Sequence, residues 1–199
     1  MKLEILTYPN PLLREVSEKV TTFDENLKKL AADMLETMYD ANGIGLAAIQ
    51  VGKPVQMLVI DISPRDPDDA GEDGRTELEK NYKQPLILIN PEIINGVGKT
   101  TYDEGCLSVP SFFETVERFE KIEVKAQDVD GKEIRIVTDG LLAICIQHEM
   151  DHLKGTLFID HISFTKSNKI KNQIKKKGYP TKEEMEEERK SKRKALEKA

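Results

Sequence analysis

Gln147-His148-Glu149-Met150-Asp151-His152-Leu153-Lys154-Gly155 is the stretch on which the reading of this chain turns. It contains the pattern H-E-x-x-H, and the run Leu141-Leu142-Ala143-Ile144-Cys145-Ile146 ahead of it is apolar enough to bury in a helix. Gly155, just past the second histidine, is a ready helix stop, because glycine takes the left-handed cap conformation cheaply. On such a helix His148 and His152 project from one face, about 6 Å apart along the axis. One divalent metal spans that gap. Glu149 lies about 100° round from His148, close enough to reach a water on the metal without being a ligand itself. Such residues also occur on solvated helix faces with no metal involved. Here, though, the chain has only three histidines, and two of them stand at this spacing beside a glutamate. Two histidines do not make a site. A catalytic metal needs a third protein ligand and an open position.

A chain of 199 residues is long enough for one well-buried core, as a single domain with a tail or as two small domains. Hydrophobic residues make up 38% and charged ones 33%, which describes a heavily solvated surface around a folded body rather than a disordered chain. Glu4 and Pro9 interrupt any signal-like apolar run near the N-terminus, and no segment approaches the length of a membrane span. Cys106 and Cys145 are too few for a disulfide scaffold. The composition therefore points to a soluble, cytoplasmic protein in a reducing compartment.

Residues 1 to 22, with Pro9 and Pro11, read as an extended arm packed on the body. From Asp24, a plausible N-cap, Leu27, Leu30, Ala31, Met34, Leu35 and Met38 share one helical stripe that stops at Asn42-Gly43. Gly43, Gly45 and Ala48 fit the dinucleotide fingerprint G-x-G-x-x-G/A. That fingerprint should follow a strand and open a helix, whereas this one follows a helix and runs toward a strand. The two remaining readings are a glycine turn packed on the core, and backbone that approaches a ligand closely with Gln50 as a polar finger. Val55 to Ile62 reads as a buried strand, residues 63 to 85 as a solvated loop, and Leu86 to Ile89 as a strand closed by Asn90-Pro91. Ile122, Val124 and Ala126, then Ile134 and Ile136, alternate with polar residues around Asp130-Gly131, which predicts a two-stranded hairpin. Several strands followed by a helix, without βαβ alternation, give the class α+β: mostly antiparallel strands packed around a central metal-binding helix that carries H-E-x-x-H.

Four candidates exist for the third ligand. In H-E-x-x-H-x-x-G-x-x-H the last position supplies it, but here that position is Phe158, which excludes the metzincin pattern. His161 has no cue to its direction and is equally a surface residue. Cys145, three residues before His148, lies about 10 Å along the axis from His152, too far for a thiolate bond of about 2.3 Å, so it reads as a wall of the pocket. Cys106 remains, in Glu104-Gly105-Cys106-Leu107-Ser108-Val109-Pro110, a loop from which a thiolate can approach two helix-borne imidazoles from the side. Two imidazoles, one thiolate and a water make a tetrahedral site.

Gly43-Ile44-Gly45-Leu46-Ala47-Ala48-Ile49-Gln50, Glu104-Gly105-Cys106-Leu107-Ser108 and Gln147-His148-Glu149-Met150-Asp151-His152 together resemble the three motifs of bacterial peptide deformylases, in the family's order, and the likeness covers about residues 1 to 165. The resemblance implies Cys106, His148 and His152 as metal ligands and Glu149 as the acid–base residue. It implies Gln50 and the Leu107 amide as the oxyanion hole. It further implies Ile44, Tyr102, Leu141 and Cys145 around a methionine side chain, Gly45 holding the peptide, and Arg118 paired with Glu104 to brace the cysteine loop. Residues 63 to 85 look longer than the usual connection in that family, and Phe112-Phe113 stand where some relatives carry a basic residue.

The reaction so implied is hydrolysis of the formyl amide of formyl-Met nascent peptides, giving formate and a free amino terminus. Ligand chemistry by itself favours zinc, and a mixed His₂Cys site also suits ferrous iron. The resemblance implies Fe²⁺, with Zn²⁺, Ni²⁺ or Co²⁺ as alternatives in purified protein. Residues 166 to 199 hold 13 Lys and Arg against 6 Asp and Glu, a net of +7, so the whole chain's −6 leaves −13 on residues 1 to 165. That asymmetry divides a catalytic domain, 1–165, from a basic tail, 166–199, with a capping box at Thr181 and Glu184 that would start a helix over Lys182 to Lys198. Such a tail is either simply solvated or makes ribosome contact through Lys169, Lys171, Lys175, Lys176 and Lys177.

Overall fold

The computed structural model describes residues 1–64, 74–181 and 184. Helix α1 (Glu25–Asp40) is followed by strands β1 (Gly45–Ala47) and β2 (Met57–Ile60) and a short helix α2 (Glu77–Lys80). Then come β3 (Leu86–Val97), β4 (Thr100–Cys106), β5 (Val109–Arg118), β6 (Lys121–Gln127) and β7 (Glu133–Asp139), and after them helices α3 (Gly140–His152) and α4 (Phe164–Lys177). Five strands form one antiparallel sheet in the order β1-β2-β3-β6-β7, while β4 and β5 form a separate antiparallel hairpin. The chain is α+β, as its pattern of strands and helices predicts.

Period-two alternation sorts the core into two layers. Leu58 and Ile60 of β2 pack with Leu88, Val124, Ile136 and the apolar residues of α3, while Met57 and Val59 pack with Met34 and Met38 of α1. A strand buried on both faces has no polar side, hence the unbroken apolar run there. Asp24 caps α1 by accepting from the Leu27 N–H at 2.9 Å. Burying Leu27, Met34 and Met38 is worth roughly 1.5–3 kcal/mol each, against tenths of a kcal/mol per residue for helix propensity. Packing, not propensity, holds α1.

Helix α3 runs through the middle of the molecule, with ten of its thirteen residues buried. A polar side chain buried there without a partner is costly. Gln147 avoids that cost by exchanging bonds with the backbone N–H and C=O of Phe119 at 2.9 and 3.0 Å.

Two expectations change. Asn90-Pro91 does not close the strand: β3 continues to Val97. Asn90 takes φ +50° and the register slips between Ile89 and Glu92, so that Pro91, which has no N–H, sits at a bulge. Within 63–85, residues 65–73 lie outside the described region, but the segment does not end as a plain loop. Thr76 and Glu79 form a capping box around α2, and the buried Glu79 carboxylate accepts from the Leu142 N–H, in the first turn of α3, at 2.8 Å. Helix α4 begins at Phe164, and its Ile170 and Ile174 are buried against Leu157, Phe158 and Ile159. Of the expected helix from Lys182 to Lys198, only the capping exchange is described: Thr181 N–H to Glu184 at 2.6 Å and Glu184 N–H to Thr181 Oγ1 at 3.2 Å. The rest lies outside the described residues. Among those residues no helix is long and apolar enough to cross a membrane.

Candidate metal centre and active site

Cys106 is not in an open loop. It is the last residue of β4, paired with Val109 across the turn of the β4–β5 hairpin after a register shift at Gly105. That turn points the thiol at α3. The donor atoms of Cys106, His148 and His152 lie within 4.8 Å of one another, the only such group of His, Cys, Asp or Glu among the described residues. Cys106 Sγ is 3.3 Å from His152 Nε2, and the two imidazole rings are 5.0 Å apart. One sulfur and two ring nitrogens converging in this way fit a divalent transition metal. Cys145 and His161 stand outside the group. Phe158, at the metzincin ligand position, stacks its ring on His148 instead.

A buried ionic chain stands behind the histidines. Glu104 Oε2 is 2.8 Å from His148 Nδ1, which orients the ring and leaves Nε2 for a metal. Arg118 donates to both Glu104 oxygens, at 2.7 and 2.9 Å, and to Asp151 at 2.6 Å. Asp151 also bonds His161 Nε2 at 2.7 Å. Burial raises Glu104, but its bonds to Arg118 and His148 outweigh that and hold it below the usual carboxylate range. Burial lowers His148, and its hydrogen bonds to Cys106 and Glu104 more than reverse the effect. Burial, then the neighbouring His148, push His152 well below its ordinary value and keep that imidazole neutral.

Glu149 is buried beside these groups, and its Oε2 has no hydrogen-bond partner. Desolvation pushes its pKa up to about 7. The space it occupies is made by Gly45: a Cβ there would lie 2.5 Å from Glu149 Oε1 and 2.8 Å from Cys145 Sγ. At Gly43 a Cβ would lie 2.6 Å from Leu107 Cδ1. These glycines permit close packing of side chains, which accounts for their spacing.

The cavity in front measures about 410 Å³, and Glu149, Cys106 and His148 lie in its wall. Ile44, Gly45, Tyr102, Leu141 and Cys145 line it, as do Gln50 and Leu107. His152 sits deeper, almost without exposure. Burial raises the Cys145 thiol, and its Sγ faces the Ile44 carbonyl at 3.7 Å, the environment of a wall rather than of a ligand. Gln50 Oε1 accepts from the Ala47 N–H at 2.8 Å, which fixes the amide so that Nε2 points to Ser108 Oγ at 3.0 Å and Cys106 Sγ at 3.6 Å.

Ser108, which no spacing in the sequence singles out, joins the two halves of the site: its N–H donates to Cys106 Sγ at 3.3 Å while its hydroxyl accepts from Gln50. Glu79 does carry a signal, since Thr76-x-x-Glu79 has the capping-box spacing that announces a helix start.

The family model described as polypeptide deformylase matches residues 2–168. A peptide deformylase of Novosphingobium aromaticivorans is 49% identical over 179 residues, which cover 87% of this chain and 95% of the relative. The crystal structure of a peptide deformylase from Legionella pneumophila superposes with a TM-score of 0.76 at 41% identity, covering 88% of this chain and 95% of that one. A peptide deformylase from Ehrlichia chaffeensis, solved in complex with actinonin, gives a TM-score of 0.76 at 37% identity and covers 88% of this chain and 98% of its own.

Proposed function

The chain belongs to the polypeptide deformylase family, and from that premise we propose a role for each residue around its cavity. The activity is that of the family: hydrolytic removal of the formyl group from the amino terminus of nascent proteins, by a metalloenzyme. We assign the metal to Cys106, His148 and His152, and the observation that carries the mechanism is the unpartnered Glu149 oxygen beside them.

A metal bound by those three residues supplies Lewis-acid chemistry, bringing the pKa of water toward neutrality. Glu149 accepts the proton of the attacking water and returns it to the amine nitrogen as the carbon–nitrogen bond breaks, releasing formate and the free amino terminus. A carboxyl whose pKa burial has raised to about 7 accepts and gives back a proton near neutral pH with little penalty. Gln50 Nε2 and the Leu107 N–H donate to the formyl oxygen as negative charge grows on it, and one such donor is worth about 3 kcal/mol. Ile44, Tyr102, Leu141 and Cys145 enclose the methionine side chain, while Gly45 holds the peptide backbone beside it. A formyl group carries only hydrogen on its carbonyl carbon, so a tight site there excludes longer acyl groups.

We take the resident ion to be Fe²⁺, which suits a mixed His₂Cys donor set and agrees with the family resemblance; Zn²⁺, Ni²⁺ or Co²⁺ would occupy the same donors in purified protein. Both cysteines are free, which suits the cytoplasm, where nascent chains are met. Every residue assigned to the chemistry lies within 1–165 in this reading, and the basic segment 166–199 offers the ribosome contact.

The deciding experiment compares formyl-Met-Ala with a peptide blocked at both ends. Formate release from the first and no cleavage of the second is the expected result. Cleavage of an internal peptide bond would replace this reading with that of a metallopeptidase.

A further inference from the structure

Beyond the span matched by the family model, the chain turns back on the site. Gly178 ends α4 with φ +72°, and its N–H closes on the Ile174 carbonyl at 2.8 Å, so the next residue leaves the helix axis and returns to the body. That residue is Tyr179. Its hydroxyl donates to the Tyr8 carbonyl at 2.7 Å and lies 3.5 Å from the Ser108 carbonyl. The Tyr8 N–H in turn donates to that same Ser108 carbonyl at 2.8 Å. Ser108 is the residue whose N–H meets Cys106 Sγ and whose hydroxyl accepts from Gln50. The Tyr179 ring meets Phe112 edge-on at 6.4 Å, and both belong to the apolar cluster that includes Cys106, Val109, Ile170 and Ile174.

We infer that Tyr179 is a positioning residue for the metal ligand Cys106: it ties the N-terminal arm and the C-terminal segment to Ser108 and so holds the β4–β5 turn against α3. The inference rests on the assignment of Cys106 as a ligand. Burial pushes the Tyr179 hydroxyl well above its ordinary value, so it remains a donor wherever the enzyme works. Partners that orient a ligand typically change metal affinity by about 10–100-fold when removed. Tyr179 stands one step further out, at the far side of Ser108, so the lower end of that range applies.

The test uses the full-length protein loaded with Co²⁺, whose thiolate charge-transfer band reports the sulfur bond. Tyr179→Phe keeps the ring on Phe112 and loses only the donor; it should release Co²⁺ to a chelator about tenfold faster, shift the band, and lower kcat more than it raises KM. Ile174→Ala loosens the same cluster without touching Ser108 and serves as the packing control. Faster release in Tyr179→Phe than in Ile174→Ala, at equal or smaller loss of Tm, supports the inference. A Tyr179→Phe protein with the wild-type band and release rate overturns it, as does a change no larger than that of Ile174→Ala. Cys106→Ser separates the two levels. If that variant keeps the band, the ligand assignment has failed; if it loses the band while Tyr179→Phe is unchanged, only the role of Tyr179 has failed.

Discussion

Gly45 and Glu149 are packed so closely that a single methyl group on the glycine would sit 2.5 Å from the carboxylate. Gly45→Ala must therefore displace Glu149, Cys145 or the β1 backbone. Displacing a proton-transfer group by about 1 Å costs on the order of 100-fold in rate. The variant should keep its metal and lose about that much kcat/KM. Near-normal turnover would show that Glu149 tolerates the shift and is not held in a reactive position.

Replacing Glu149 itself separates chemistry from metal binding. Glu149→Gln and Glu149→Ala should both retain metal and release essentially no formate. Metal content and turnover are measured on the same preparation, and loss of metal in both variants would reassign Glu149 as a ligand.

The two cysteines should behave differently. Cys106→Ser should bind metal more weakly or in altered geometry. Cys145→Ser should stay loaded and change mainly the preference for the side chain next to the formyl group. The reverse pattern would place the site on the wrong cysteine.

The ionic chain behind His148 offers a graded test. Glu104 and Arg118 are both buried, so Arg118→Leu leaves the Glu104 carboxylate with His148 alone, strips Asp151 of its guanidinium, and should cost about 3–5 kcal/mol of stability. His161 is partly exposed at the outer end, and His161→Asn should cost less than about 1 kcal/mol. Thermal unfolding of the two variants decides; comparable losses would mean that the outer bond matters as much as the inner one.

The basic surface of α4 is best tested by substitution, since Ile170 and Ile174 anchor that helix in the core and its removal would expose them. Reversing Lys175, Lys176 and Lys177 to Glu should weaken ribosome co-sedimentation and flatten its salt dependence, while formate release from a short peptide stays unchanged. Binding that is equal for both proteins, or indifferent to salt, would leave the tail with no role in recruitment.

What the sequence alone determined is what is local. A helix places residues i and i+4 on one face wherever it lies, so His148, His152 and the neighbouring Glu149 could be read directly from Gln147–Gly155. The β6–β7 hairpin was equally legible, from alternation around Asp130-Gly131. Buried β2 followed from an apolar run too short for a helix. Periodicity failed where the chain departs from regular geometry: a bulge let β3 pass Pro91, and α2, only four residues long, has too few turns to show a period and is announced only by its Thr76–Glu79 capping box.

The tertiary structure decided what depends on meetings between distant segments. The carboxylate that orients His148 comes from Glu104, 44 residues earlier in the chain. Gly45 makes room for a side chain on another element, and Tyr179 reaches Ser108 across 71 residues. Resemblance to a family could name Glu104, Arg118 and Gly45, but not the bond from Glu104 to His148 or the packing of Gly45 against Glu149. Tyr179, past the family's matched span, had no such pointer. Spacing along a chain carries the geometry of one helix or strand, because backbone hydrogen bonds fix that repeat. It carries no information about which side chain packing will press against a thiol, since that is set by the whole core closing at once.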